Sequence, residues 1–196
     1  MKNKQIKGQA AIILLIVLLN LFNKTWRDFP KYYKNIGYVG LVNIFYYYLC
    51  SRHLVWEFPP VGANWKLLRI MHIFFITPLL VLSFLSRYPS TLSKQFLHVI
   101  KWVTASSITE YIAHKQKLLQ YKHGWTIFWS ALLYLKMFMY SKLIVKRPLT
   151  TLFLSVCSVA FLIKKFKVPI NKKHRLSKNC EWLTDCFYHS SLEDIF

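Results

Sequence analysis

Acidic residues are what this sequence has least of: seven Asp and Glu stand against 27 Lys and Arg in 196 residues, a formal charge of +20. That shortage excludes an acidic disordered chain, which is kept in solution by its carboxylates. Five glycines exclude a collagen-like repeat, and four cysteines exclude a disulfide-stapled secreted scaffold. A Gly-rich phosphate loop, an H-E-x-x-H pair and a G-x-S-x-G elbow are also missing. No common catalytic machinery is therefore in view, and neither a cofactor nor a resident metal is expected. Long uninterrupted apolar runs are scarce too, the longest being Ala10 to Leu19.

What is present is apolar and aromatic. Hydrophobic residues make up 55% of the chain. The acids are Asp28, Glu57, Glu110, Glu181, Asp185, Glu193 and Asp194, so residues 1–163 hold three acids beside 20 Lys and Arg. A soluble helical domain needs polar faces laced with both signs, and this stretch lacks the acid to build them. Basic excess can also signal nucleic-acid binding, but the cations fall in short clusters between apolar segments and form no basic helix face. Cations punctuating repeated apolar stretches are the pattern of a multi-pass membrane protein.

Six apolar segments follow from that pattern: Gly8–Phe22, Ile36–Cys50, Leu67–Leu85, Phe96–Ala113, Gly124 to Tyr140 or Val145, and Pro148–Ile163. The leading Lys2, Lys4 and Lys7 resemble the start of a signal peptide. No small-residue cleavage site follows, so a retained first helix is expected. Pro78 predicts a kink in the third segment and Pro148 a helix start in the sixth. The expected fold is all-α, an integral membrane helical bundle of about six transmembrane helices, or five. Residues 1–166 form the membrane domain, and 167–196 a tail that is basic first and mildly acidic after.

With six spans, 15 Lys and Arg fall on the side of the termini and eight on the other. The positive-inside rule then places both termini in the cytoplasm. Trp26, Trp56, Trp65 and Trp125 fall at segment boundaries, where an aromatic belt belongs. Lys164, Lys165 and Lys167 are placed to meet anionic lipid headgroups. The lipid bilayer is thus the expected partner, with nucleic acid excluded.

Glu110 is the one acid inside a predicted span and so the leading candidate functional residue. Arg69 and His72, three residues apart on one helix face, match it in depth. A Glu110–Arg69 ion pair with His72 nearby is one arrangement. The alternative has Arg69 snorkelling to headgroups and Glu110 in a structural hydrogen bond. Glu57, Tyr121 and Trp125 join the cluster at the cytoplasmic side. Either a polar rim or shallow cavity opens there between spans two to five, or these residues only set helix ends, with Gly124 as a break and Tyr121 and Trp125 as interfacial anchors. Lys101 stands nine residues from Glu110, half a turn away on the helix, so the two cannot pair. Lys101 and Lys136 are expected to snorkel, and Asn43 to bridge helices. In the tail, His174, Cys180, Cys186 and His189 suggest zinc, but the cysteines are too far apart in sequence for a zinc pair, and free thiols are expected.

Several pieces carry a resemblance: Trp26 through Tyr33, Val55-Trp56-Glu57-Phe58, Arg87-Tyr88-Pro89, Lys94-Gln95, Trp102-Val103, Glu110, Tyr121 through Trp125, Trp129-Ser130, Lys146-Arg147-Pro148 and Phe166 through Pro169. Together they cover roughly residues 26–170 and resemble a family of small multi-pass membrane proteins from Bacillus-type spore-forming bacteria. The Y-x-x-G-W…W-S cluster after an intramembrane Glu is the most specific of them. The resemblance implies a bacterial plasma membrane and an all-helical fold, and it supplies no catalytic residue. The expected function is a structural or interaction role in the membrane, connected with sporulation or stress. The alternative is a small transporter or channel using Glu110, Arg69 and His72, with a lipid-modifying enzyme a distant third.

Overall fold

A computed structural model describes residues 2–50, 53–57 and 69–168, with side chains from residue 7 onward. Trp65, the first two residues of the third predicted span, and the tail with His174, Cys180, Cys186 and His189 lie outside the described residues. The described chain is helical: α1 (Lys2–Phe22), α2 (Phe29–Leu49), α3 (Thr77–Ser86), α4 (Leu92–Lys115), α5 (Ile127–Lys146) and α6 (Pro148–Lys165). A two-residue antiparallel ribbon, β1 (Trp56–Glu57) with β2 (Gln120–Tyr121), is the exception.

Three stretches are long and apolar enough to cross a membrane: Arg69–Ser86, α5 and α6. The first two predicted spans pass the same test only together, as one pair bent by 75°. The bend has a local cause. Lys24 adopts the left-handed conformation (φ 53°), and a tight turn over Thr25–Asp28 follows before Pro30 opens α2. Thr25 Oγ1 donates to Asn20 Oδ1 at 2.6 Å and closes the corner. α4 carries Lys94, Lys101, Glu110 and Lys115 and does not meet the test, so six spans are more than the helices themselves establish.

Pro78 distorts the third segment one turn before its own position. It has no N–H to donate and its ring crowds the carbonyl four residues back. The backbone responds with a wide π turn over His72–Ile76, leading directly into α3.

The bundle core joins α2, α3, α4 and α5 through Tyr38, Val39, Val81, Phe84, Leu85, Val99 and Phe138. Phe84 and Phe138 are both 0% exposed, with ring centroids 4.5 Å apart. Small hydroxyl residues sit where helices approach closely: Ser83, Ser130, Ser141 and Thr151 are buried. Ser141 donates to the Phe138 carbonyl on its own helix and Thr151 to the Arg147 carbonyl just before α6, so their burial leaves no hydroxyl proton unmet. The interhelical bridge expected of Asn43 is made by Asn35, whose Nδ2 donates to the Ser141 carbonyl at 2.6 Å. Outward faces are as apolar as the core. Leu14, Phe45, Phe74, Phe96, Leu149 and Phe153 are all exposed, Leu149 by 82%. Exposed apolar side chains in this number are compatible with insertion into a membrane.

Candidate functional site

Glu110 faces inward from the last two turns of α4 and is 6% exposed, while Lys101 on the opposite face is exposed. Three hydroxyls close on its carboxylate. Tyr121 donates to Oε1 at 2.8 Å from β2, and Tyr134 donates to Oε2 at 2.7 Å from α5. Ser130, one turn before Tyr134 on the same face of α5, also donates to Oε1. Behind Ser130 stands Trp125, whose indole Nε1 donates to Ser130 Oγ at 2.8 Å. An indole N–H can only donate, so it fixes the Ser130 lone pair and aims the serine proton at Glu110. A buried carboxylate is costly unless its oxygens are hydrogen-bonded, and here both are.

The chain reaches this geometry through its turns. After α4 ends, Lys117 at φ 59° redirects the backbone into β2, and β2 pairs with β1 in the register Trp56↔Tyr121 and Glu57↔Gln120. That pairing holds the Tyr121 ring at Glu110, backed by the His114 ring stacked at 4.2 Å. Burial, then the hydrogen bond and charge of Glu110, hold the Tyr121 phenol above its usual value, so it stays protonated as a donor. Gly124, at φ +79°, makes the final turn in a conformation that a side chain would strain, and delivers Trp125 to the start of α5.

Arg69 is directed elsewhere. Its guanidinium lies 3.9 Å from Glu57 and over the Tyr47 ring at 5.5 Å. Lys122 is the second cation on Glu57. Of the two arrangements the sequence allows, the Glu110–Arg69 pair is not formed: the ribbon presents Glu57 to Arg69, and hydroxyls occupy Glu110. His72 contacts neither acid. It lies 3.3 Å from the Tyr47 hydroxyl and 3.3 Å from Thr77 Oγ1, with the Trp56 ring 4.9 Å away. The six candidates thus divide into a Glu110–Tyr121–Trp125 network, a Glu57–Arg69 ion pair and a separate His72 contact. Tyr134 was missed and Ser130 named only as part of the Y-x-x-G-W…W-S resemblance, although their four-residue spacing on a helix that follows Glu110 was the available signal.

A cavity of about 210 Å³ runs between α2, α3, α5 and α6, from Cys50, Phe166 and Val168 at one end to Tyr140 and Ser155 at the other. It departs from the expected polar rim in two ways. Its walls are mainly apolar, and α6 lines it, whereas α4 contributes only Glu110. Among the described residues no group of three or more His, Cys, Asp or Glu could hold a metal ion. No protein-family model, curated protein or solved structure matches this chain.

Proposed function

We propose that this chain is a multi-pass integral protein of the bacterial plasma membrane with a structural or interaction role. In this reading the apolar exteriors of the helices face lipid, both termini are cytoplasmic, and the finer arrangement has six spans. Lys164, Lys165 and Lys167 at the end of α6 then meet anionic headgroups. The reading agrees with the resemblance to small membrane proteins of spore-forming bacteria.

One observation carries the choice of role. Both oxygens of Glu110 are taken by hydroxyls that belong to the fold, one of which is itself fixed by Trp125. A proton or ion carrier needs a carboxylate that can exchange partners, whereas this one ties α4, β2 and α5 together. The second reading, a small transporter, draws on the cavity that Glu110 and His72 both border. Reconstitution into liposomes with an internal pH dye separates the two. The structural role predicts no Glu110-dependent flux and a loss of thermal stability in Glu110→Gln. Proton or substrate flux abolished by Glu110→Gln in a protein of undiminished stability would establish the transporter instead.

A further inference from the structure

The cavity between α2, α3, α5 and α6 contains more than the Glu110 network uses. Val42, Leu80, Leu133, Met137, Val159 and Leu162 give it apolar walls. One lysine, the half-buried Lys136, is among its lining residues. Lys136 lies nine residues from the start of α5 and ten from its end, roughly 13–15 Å from either terminus at the helical rise. A lysine side chain is too short to carry its ammonium from mid-helix to either end, so snorkelling alone does not satisfy it. No acid pairs with it among the described residues: both ion pairs there belong to Glu57, and Glu110 is held by hydroxyls. An ionisable residue at this depth marks a ligand path or needs a counter-ion.

Other donors line the same space. Asn43 Nδ2 is buried without a hydrogen-bond partner among the described residues. One turn beyond Lys136, the Tyr140 hydroxyl lies 3.4 Å from Ser158 Oγ across the α5–α6 contact. Apolar walls with one unpaired cation and a few donors complement a molecule with a single negative head and a single apolar tail.

We propose that this cavity binds a long-chain fatty acid, its carboxylate on the Lys136 ammonium and its tail along Val42, Leu80 and Met137. One cation matches one carboxylate. A cavity of about 210 Å³ takes the head and the near part of one tail, and the rest leaves past the exposed Val42 and Leu133 toward the bilayer, which is the source. Glu110 borders the same cavity, but both its oxygens are held by hydroxyls, so the proposal rests on Lys136 and not on the role assigned to Glu110.

The test uses the full chain in detergent micelles and palmitate carrying a photoactivatable diazirine on its tail. Saturable labelling is expected at α2, α5 and α6 cavity residues, competed by palmitate and not by hexadecanol or a diacyl phosphatidylglycerol. Lys136→Met should weaken palmitate binding by about tenfold or more, Lys136→Arg should preserve it, and Val159→Trp should block it by filling the space. Equal competition by hexadecanol, unchanged affinity in Lys136→Met, or labelling confined to outward residues such as Phe153 would each overturn the proposal. Better competition by phosphatidylglycerol would do so too. Should Lys136→Met fail to fold, competition by the charged and uncharged ligands on the unmodified protein decides the matter.

Discussion

Tyr134→Phe is the cleanest perturbation of the Glu110 network, because it removes one oxygen and almost no volume. Tyr134 supplies the hydrogen bond seen at Oε2, whereas Oε1 has two donors. Bonds to charged groups contribute roughly 1.5–3 kcal/mol, and leaving a buried acceptor unmet costs about 1–3 kcal/mol. Interhelical hydrogen bonds in membrane bundles average nearer ~0.6 kcal/mol, because the unfolded reference in lipid also finds partners. The Glu110 site is buried within the protein, which favours the upper range, so a loss of about 1.5–3 kcal/mol is expected. Unfolding by sodium dodecyl sulfate in mixed micelles, followed by circular dichroism, measures it. Tyr33→Phe is the control, since Tyr33 is exposed on α2 and should change little. In a double-mutant cycle, Tyr134→Phe should cost much less on a Glu110→Gln background, because the pair it breaks is already altered. Equal losses for Tyr134→Phe and Tyr33→Phe, or strict additivity with Glu110→Gln, would refute the reasoning.

Further outcomes follow from other parts of the molecule. Phe138→Ala empties a fully buried ring site against Phe84 and should cost about 3–5 kcal/mol, read as loss of folded protein in the same titration. Glu57→Gln releases Arg69 and Lys122 at a site where Glu57 is 16% and Lys122 46% exposed, and should cost about 1 kcal/mol globally. Its effect should appear locally, as faster amide exchange at Trp56 and Tyr121. The stacked His53 and His123 rings, 3.5 Å apart, predict a pH response. Desolvation, then the neighbouring His53 and Lys122, hold His123 below its ordinary 6.5, against the pull of Glu57. The folded state therefore binds fewer protons than the unfolded one, so stability is retained above pH 6.5 and declines as pH falls below it. Histidine proton resonances should show His123 titrating below 6.5 and the stack loosening on acidification; a value above 6.5 would contradict the stacking account.

The helices were largely legible because hydropathy and basic punctuation act locally. The predicted Leu67–Leu85, Gly124–Val145 and Pro148–Ile163 segments correspond to Arg69–Ser86, α5 and α6. The placement of Glu110 and Lys101 on opposite faces was legible for the same reason, since angular position on a helix is fixed by residue count. What sequence could not supply were contacts between distant segments. Glu57 and Arg69 meet only because β1 pairs with β2, and two-residue strands have no periodicity to detect. The α1–α2 bend depends on a left-handed lysine, a conformation no lysine advertises in sequence. The π turn at His72–Ile76 is Pro78 felt upstream, a kink anticipated in kind but not in form. Lys136 shows the limit most clearly: its place on α5 was readable, but that it borders a cavity depends on how α2 and α6 pack.

The whole account requires that the outward faces of these helices be solvated by hydrocarbon, and α6 offers the direct measurement. Cys157 is exposed near the middle of α6 while Cys50 is buried, so a nitroxide can be placed there once Cys180 and Cys186 are changed to Ser. In liposomes, the account predicts that power-saturation resonance finds this label readily relaxed by dissolved oxygen and shielded from a water-soluble nickel chelate. A label at Cys157 relaxed chiefly by the nickel chelate would place the face in water and contradict it.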